Sequence, residues 1–218
     1  MADSIKKVVL VGAGKHAWLI AEKIFERHDL KLLGFVDKSS VELPEFISCQ
    51  GVRILGDDSY LDQSDDCYVH LGLGAGLLFV RRRIISQIRQ RQHKVISIIH
   101  STAFVAPSAK VGQGVTALVN AVIHTNATVG DFTCVNTGAV VEHDCCVGSN
   151  VFIQPKAVLA GGVTTGDDTV VGMGACVREG INIGSNCVIG AGAVVVKDVP
   201  DNSVVYGPAQ VIRQNNPK

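Results

Sequence analysis

The segment with the clearest chemical potential is Glu142-His143-Asp144. A histidine beside two carboxylates can give its Nδ1–H to one of them, which leaves Nε2 as a better proton acceptor. A solvated corner histidine is the plain alternative at this stage. No serine or cysteine stands beside a base as an activated nucleophile, so these residues point to direct attack on a substrate rather than to a covalent intermediate. Cys145 follows the triplet but falls on an inward place of the repeat described below, where cysteine acts as a small hydrophobe.

A second cluster lies near the N-terminus. Gly12-x-Gly14-x-x-Ala17 follows a strand-like run, and Asp37 ends the next such run. This spacing matches a dinucleotide fingerprint, in which a glycine turn brings backbone N–H groups and a helix start to phosphate. Only about 90 residues precede the repeat, roughly one half of a doubly wound nucleotide fold. A nucleotide-linked substrate therefore fits better than NAD, and a merely structural glycine turn remains open.

The elements that must position these residues differ between the two halves. From Val105 to Val195 every sixth residue is aliphatic at fourteen of sixteen places, the exceptions being Ala117 and Thr165. A smaller class recurs four places later, from Ala109 to Val199, and glycine often follows the aliphatic residue, as at Gly112, Gly130 and Gly148. A period of six fits neither a helix nor an ordinary sheet. It predicts short strands joined by corners, stacked into about five triangular coils at about 4.8 Å spacing, with glycine relieving backbone strain. His143 and Asp144 take the third and fourth places of their hexad, so they project outward from a corner. The pattern resembles the left-handed parallel β-helix of hexapeptide acyltransferases; a purely structural solenoid shares it.

The first half predicts strands at Lys6–Val11, Leu32–Val36, Cys67–Leu71 and Val95–Ile99, and helices over Trp18–Arg27 and Leu77–Gln92. Alternating strands and helices imply a small parallel sheet, a Rossmann-like half. The expected organisation is an α/β domain over 1–100, then a β-helix domain with a C-terminal cap over 101–218. The family resemblance described below implies that the first binds a nucleotide sugar and the second is a left-handed acyltransferase β-helix.

The formal net charge is zero, which argues against nucleic acid and anionic membranes as partners. The one basic run, Arg81-Arg82-Arg83, reads as a solvated helix surface. Neither a signal peptide after Met1-Ala2-Asp3-Ser4 nor a membrane span is expected. Seven cysteines without a CxxC pair fit reduced thiols in the cytoplasm, with no metal site.

Taken together, Gly12-Ala13-Gly14-Lys15-His16, Asp37, Ile99-His100-Ser101 and Asn136-Thr137-Gly138-Ala139-Val140-Val141-Glu142-His143-Asp144 resemble, in that order, one family. It is the hexapeptide-repeat sugar O-/N-acetyltransferases, which include bacillosamine-pathway, perosamine and sialic acid enzymes. The resemblance covers nearly the whole chain. It implies His143 as general base, oriented by Asp144. It implies that Gly14, Lys15, His16, Asp37, Lys38 and Gly72 hold the nucleotide sugar, with Leu73–Gly76 inserted after Gly72. It also implies acetyl-CoA lying along the solenoid between subunits of a homotrimer, at the backbone of Gly161, Met173 and Ala191, with Asn136 near the thioester. Three places depart from the family: Phe152 where relatives often carry a second histidine, Lys156 in place of a glycine after Pro155, and a shortened Gly207-Pro208-Ala209. The expected activity is acetyl-CoA-dependent N-acetylation of a nucleotide-linked 4-amino-4,6-dideoxy sugar. O-acetylation of sialic acid or a related sugar is the enzymatic alternative, and a non-catalytic nucleotide-binding solenoid the alternative of another class.

Overall fold

The computed structural model describes residues 5–38, 41–63, 66–207 and 211–214. The N-terminal Met1–Ser4, and Pro208 and Ala209 of the shortened cap motif, lie outside the described residues. The chain divides into two compact units, 1–98 and 99–218.

In the first unit, strands β1 (Lys6–Val11), β2 (Leu30–Val36), β3 (Arg53–Gly56), β4 (Tyr68–Leu71) and β5 (Lys94–Val95) form one sheet in the order β3-β2-β1-β4-β5. All its pairings are parallel. Helices α1 (Lys15–Phe25), α2 (Glu45–Ser48) and α3 (Leu78–Gln90) complete the unit. Helix α1 buries Ala17, Ile20, Ala21 and Ile24, a spacing of three and four that turns one face onto the sheet. Removing an isoleucine of that face from water is worth about 1.5–3 kcal/mol. The helix starts three residues earlier than its apolar pattern suggests, because Gly14 serves as an extended N-cap without a side chain. Strand β3 was not expected: Arg53-Ile54-Leu55-Gly56 is too short to show a strand alternation. The run Val95–Ile99 is not one strand but two pieces, Lys94–Val95 in this sheet and Ile98–Ile99 in a sheet of the solenoid.

The second unit is the stack of short parallel strands and corners that the hexads predict, wound as the left-handed parallel β-helix that the resemblance implies. Two-residue strands recur along three sheets, and each pairs in parallel with the strand one coil further on, as Val122↔Val140 and Val140↔Val158. Both residue classes of the hexad fill the interior: Val135, Val141, Ile153 and Leu159 are fully buried, as are Ala121, Ala139, Ala157 and Ala175. The antiparallel pair Ser203–Tyr206 and Val211–Gln214 ends one sheet.

The role expected for the glycines is corrected. Those that follow the aliphatic residue are not in strained conformations; they allow coils to stack. A Cβ on Gly130 would lie 2.6 Å from the Gly148 carbonyl carbon, and one on Gly172 would lie 2.5 Å from the Ile189 oxygen. The left-handed turn residue is instead the fourth of the hexad, filled by Asn126, Gly138, Asp144, Gly162, Gly174 and Gly192 among others. Lys156 takes this place with φ +59°, so a side chain holds a conformation that L-residues ordinarily avoid. No described helix is long and apolar enough to cross a membrane.

Candidate active site

Parallel sheets of this kind open a crevice where strand order reverses, at the carboxyl ends of the strands. Here the reversal lies at β1, with β2 on one side and β4 on the other, and a cavity of about 570 Å³ opens there. Gly14, Lys15, His16, Asp37, Lys38 and Gly72 all line it, so the structure brings together the six residues singled out for the substrate. Gly12 has φ +97°, and a Cβ there would lie 2.6 Å from Leu73 Cδ2. The turn is thus closed by glycine on one strand and by the Gly72-Leu73 loop on the next. Gly72 donates its N–H to the Val11 carbonyl at 2.8 Å. Asp37 Oδ2 accepts the Ala13 N–H at 2.8 Å, which ties the end of β2 to the glycine turn.

Charge in this cavity is mixed but leans positive. Lys15, Lys38 and Arg83 line it with Asp37 and Asp58, and Lys38 pairs with Asp58 at 3.2 Å. His16 is held neutral: burial, then the nearby Arg81 guanidinium, push it down to about 4. His70, fully buried at the end of β4, is likewise pushed to about 4, first by burial. An apolar wall of Val41, Leu73, Leu77, Val80 and Ile84 completes the cavity. Arg81 corrects the reading of the basic run as solvated helix surface. It is 2% exposed, and Arg83 faces the cavity.

In the solenoid, His143 and Asp144 stand at a corner with half or more of each side chain exposed. Their contact is His143 Nδ1 to Asp144 Oδ2 at 2.9 Å. Asp144 is held below the usual carboxylate range by this bond and by Asn126 Nδ2, which donates to Oδ1 at 3.3 Å. An ionised carboxylate only accepts, so Nδ1 carries the proton and Nε2 has a free lone pair. His143 is held above its ordinary value, first by the hydrogen bond it donates to Asp144 and then by the charges of Asp144, Glu142 and Glu179, against partial desolvation. Left-handed φ +58° at Asp144 turns its carboxylate back toward the ring.

Gly161 lies one coil beyond His143 in the same column, and a Cβ on it would lie 2.5 Å from His143 Cε1 and 2.6 Å from Nε2. The imidazole therefore occupies the space that the missing side chain leaves. Sequence reasoning singled out Gly161 but not this relation, and it missed Asn126 altogether. Both stand 18 residues from a member of the pair, one coil in this register, and that spacing was the available signal.

Asn136, Met173 and Ala191 lie on the neighbouring edge of the solenoid, across the strand Val140–Val141 and its stacked equivalents from His143. Asn136 Oδ1 accepts the Thr137 N–H at 2.8 Å, which leaves its NH₂ as a donor to a ligand. Met173 is 60% exposed, and its carbonyl accepts the N–H of Gly192, next to Ala191. Phe152 is fully buried. Cys145 is buried too, its Sγ 3.1 Å from the Ala160 carbonyl, and desolvation raises its pKa, so it is a thiol packed in the core. Among the described residues, no group of three or more His, Cys, Asp or Glu could hold a metal ion.

No family model and no curated protein sequence matches this chain. Solved structures do. The acetyltransferase domain of PglB from Neisseria gonorrhoeae, in complex with acetyl coenzyme A, is 30% identical over 94% of this chain and 98% of that one, with a TM-score of 0.87. PerB from Caulobacter crescentus, in complex with CoA and GDP-perosamine, is 31% identical over 96% and 98%, with a TM-score of 0.84. WeeI from Acinetobacter baumannii, at 22% identity over 95% and 100% and a TM-score of 0.77, shares the fold. With near-complete coverage of both chains at this identity, and with the His143–Asp144 corner and the β1–β4 crevice both present, the chain belongs to the hexapeptide-repeat sugar acetyltransferase family.

Proposed function

We propose that the protein transfers the acetyl group of acetyl-CoA to the amine of a nucleotide-linked 4-amino-4,6-dideoxy sugar, with His143 as general base. The observation that carries this reading is the His143 imidazole itself. Asp144 holds it at Nδ1, and Nε2 stands over the bare backbone of Gly161. PerB, bound to CoA and GDP-perosamine, and the PglB domain, bound to acetyl coenzyme A, support the donor and the class of acceptor.

The reaction follows from these parts. The neutral amine attacks the thioester carbonyl, a C–N bond forms, and the oxyanion is met by hydrogen-bond donors at the corner, with the Asn136 NH₂ as the side-chain donor. His143 Nε2 takes the proton that nitrogen sheds, and the C–S bond breaks as the CoA sulfur leaves. Asp144 stabilises the imidazolium that results. Gly161, Met173 and Ala191 offer backbone groups to the pantetheine arm.

The first unit holds the nucleotide sugar. The start of α1, capped by Gly14 without a side chain, offers N–H groups to the diphosphate, while Asp37 and Lys38 stand at the end of β2 for ribose or base. Asp37→Ala is expected to raise the KM for the sugar nucleotide by about ten- to a hundredfold, the scale of a lost hydrogen bond to a charged group. The KM for acetyl-CoA should stay within about twofold, since the donor uses other residues. An unchanged acceptor KM in steady-state kinetics would remove Asp37 from the site.

The acting form is a homotrimer. Phe104, Val122, Val140, Val158, Cys176 and Val194 run up the outside of one solenoid face as a partly exposed, mainly apolar column, with Phe104 51% and Val194 40% exposed. That column is flanked by the His143 edge and the Met173 edge, so a neighbouring copy covering it would wall the donor groove. Light scattering should give three times the chain mass; a monomer at working concentration would leave the donor site open on one side and refute the arrangement. Seven cysteines outside disulfides suit a reducing, cytoplasmic setting.

The direct test is acetyl-CoA consumption with a panel of UDP-, dTDP- and GDP-linked amino sugars beside sialic acid. Turnover with an amino sugar supports the proposal. Turnover with sialic acid alone supports O-acetylation, and binding without any turnover supports a non-catalytic solenoid.

A further inference from the structure

Helix α3 carries a cation that the reaction does not use. Arg81 is 2% exposed, and its Nη1 donates to the Leu73 carbonyl at 2.6 Å. Leu73 is the residue whose side chain fills the space beside Gly12, and it follows Gly72, which packs on Ala17 of α1. The ends of this loop are tied by backbone bonds, Gly72 N–H to the Val11 carbonyl and Leu77 N–H to the Gly74 carbonyl. Between those ties, the guanidinium grips the loop at the Leu73 carbonyl.

The choice of arginine has a physical cost that calls for a reason. Burying a charge costs several kcal/mol unless other groups offset it. Two histidines share the space, His16 on the cavity wall and His70 behind it. His70 gives Nδ1–H to the Ile96 carbonyl at 2.8 Å, which leaves its Nε2 as an acceptor. Both rings are kept neutral, by burial first and by Arg81 also. The guanidinium thus lies close enough to both rings to help keep them neutral, one of them on the cavity wall. Its fork of donors is rigid where a lysine would be a mobile point charge.

We propose that Arg81 is a positioning residue for the acceptor: by gripping Leu73 it sets the Gly72–Leu77 loop against the Gly12–Gly14 turn, and its charge biases the cavity toward an anionic ligand. The ligand assignment rests on the nucleotide-sugar reading above; the grip on the loop does not.

The experiment separates the two. Hydrogen exchange is followed over residues 72–77 in the full chain without ligand, for wild type, Arg81→Met and Arg81→Lys. Calorimetry on the same three proteins uses UDP- and GDP-linked 4-amino-4,6-dideoxy sugars and acetyl-CoA. Arg81→Met is expected to speed exchange in 72–77 by about tenfold or more and to weaken the nucleotide sugar by a similar factor, with acetyl-CoA affinity unchanged. Arg81→Lys, which keeps the charge but loses the fork, should loosen the loop with a smaller loss of affinity. If the methionine variant does not fold, the lysine variant carries the test. A folded variant with wild-type exchange over 72–77 overturns the proposal, as does faster exchange with full nucleotide-sugar affinity. A wild type that binds no nucleotide sugar overturns the acceptor reading, and the exchange measurement then still decides whether Arg81 holds the loop.

Discussion

His143→Ala is expected to lower kcat by about 10²–10⁴, the usual contribution of a general base, with fold and acetyl-CoA binding intact. The side chain is 53% exposed and packs into no core, so the melting temperature should hold. The pH dependence gives the sharper test. Asp144 and the neighbouring carboxylates raise the pKa of His143, and a histidine in the proposed role of base acts in its neutral form. The wild-type rate must therefore fall on the acid side, through an apparent pKa above the ordinary imidazole value. Asp144→Asn keeps a residue that tolerates the left-handed φ at that place but removes the negative charge. Its acid limb should move to lower pH, because the protonated ring loses its stabilising partner, and its maximal rate should fall as the tautomer is no longer enforced. A His143→Ala enzyme of near-normal kcat, or a limb that Asp144→Asn leaves in place, would take the pair out of the mechanism.

The solenoid was legible because its order is local: a strand, a corner and the next strand occupy six residues, and fourteen of sixteen hexads state the inward side chain directly. Gly14 and Asp37 were legible through the motif that ties them, while Lys15, His16, Lys38 and Gly72 followed from the resemblance to the family. What lay hidden is what depends on stacking or on tertiary burial. Asn126 and Gly161 act on the His143–Asp144 pair through the register between coils, which six-residue reading does not display. Arg81 sits in a run of three arginines whose composition says surface; only the packing of α3 shows that its phase turns Arg81 inward and Arg83 to the cavity. Glycines posed the opposite problem. The sequence marks them clearly, but a glycine that permits stacking and one that permits positive φ look alike until the coils are built. Lys156 is the instructive case, since the left-handed place exists whether or not glycine fills it.

Gly161→Ala is the second substitution from which a large effect is expected, and it separates geometry from binding. The added Cβ would fall 2.5–2.6 Å from His143 Cε1 and Nε2, so something must move. The movable partner is the imidazole, a half-exposed ring on a rotatable side chain, while Gly161 itself is locked in the coil by the Gly180 N–H bound to its carbonyl. Rotating the ring away breaks the 2.9 Å contact of Nδ1 with Asp144 and re-aims Nε2. A misplacement of about 1 Å at a reacting group typically costs about a hundredfold, and kcat should fall on that order. Global stability should change little, because no core side chain is displaced. The pH profile should record the same event: with the bond to Asp144 broken, the acid limb moves toward the ordinary imidazole value, as in Asp144→Asn. If Gly161 served only as a backbone contact for the donor, the alanine would raise the KM for acetyl-CoA while kcat at saturation and the acid limb stayed in place. That pattern would leave His143 without its proposed support from the next coil.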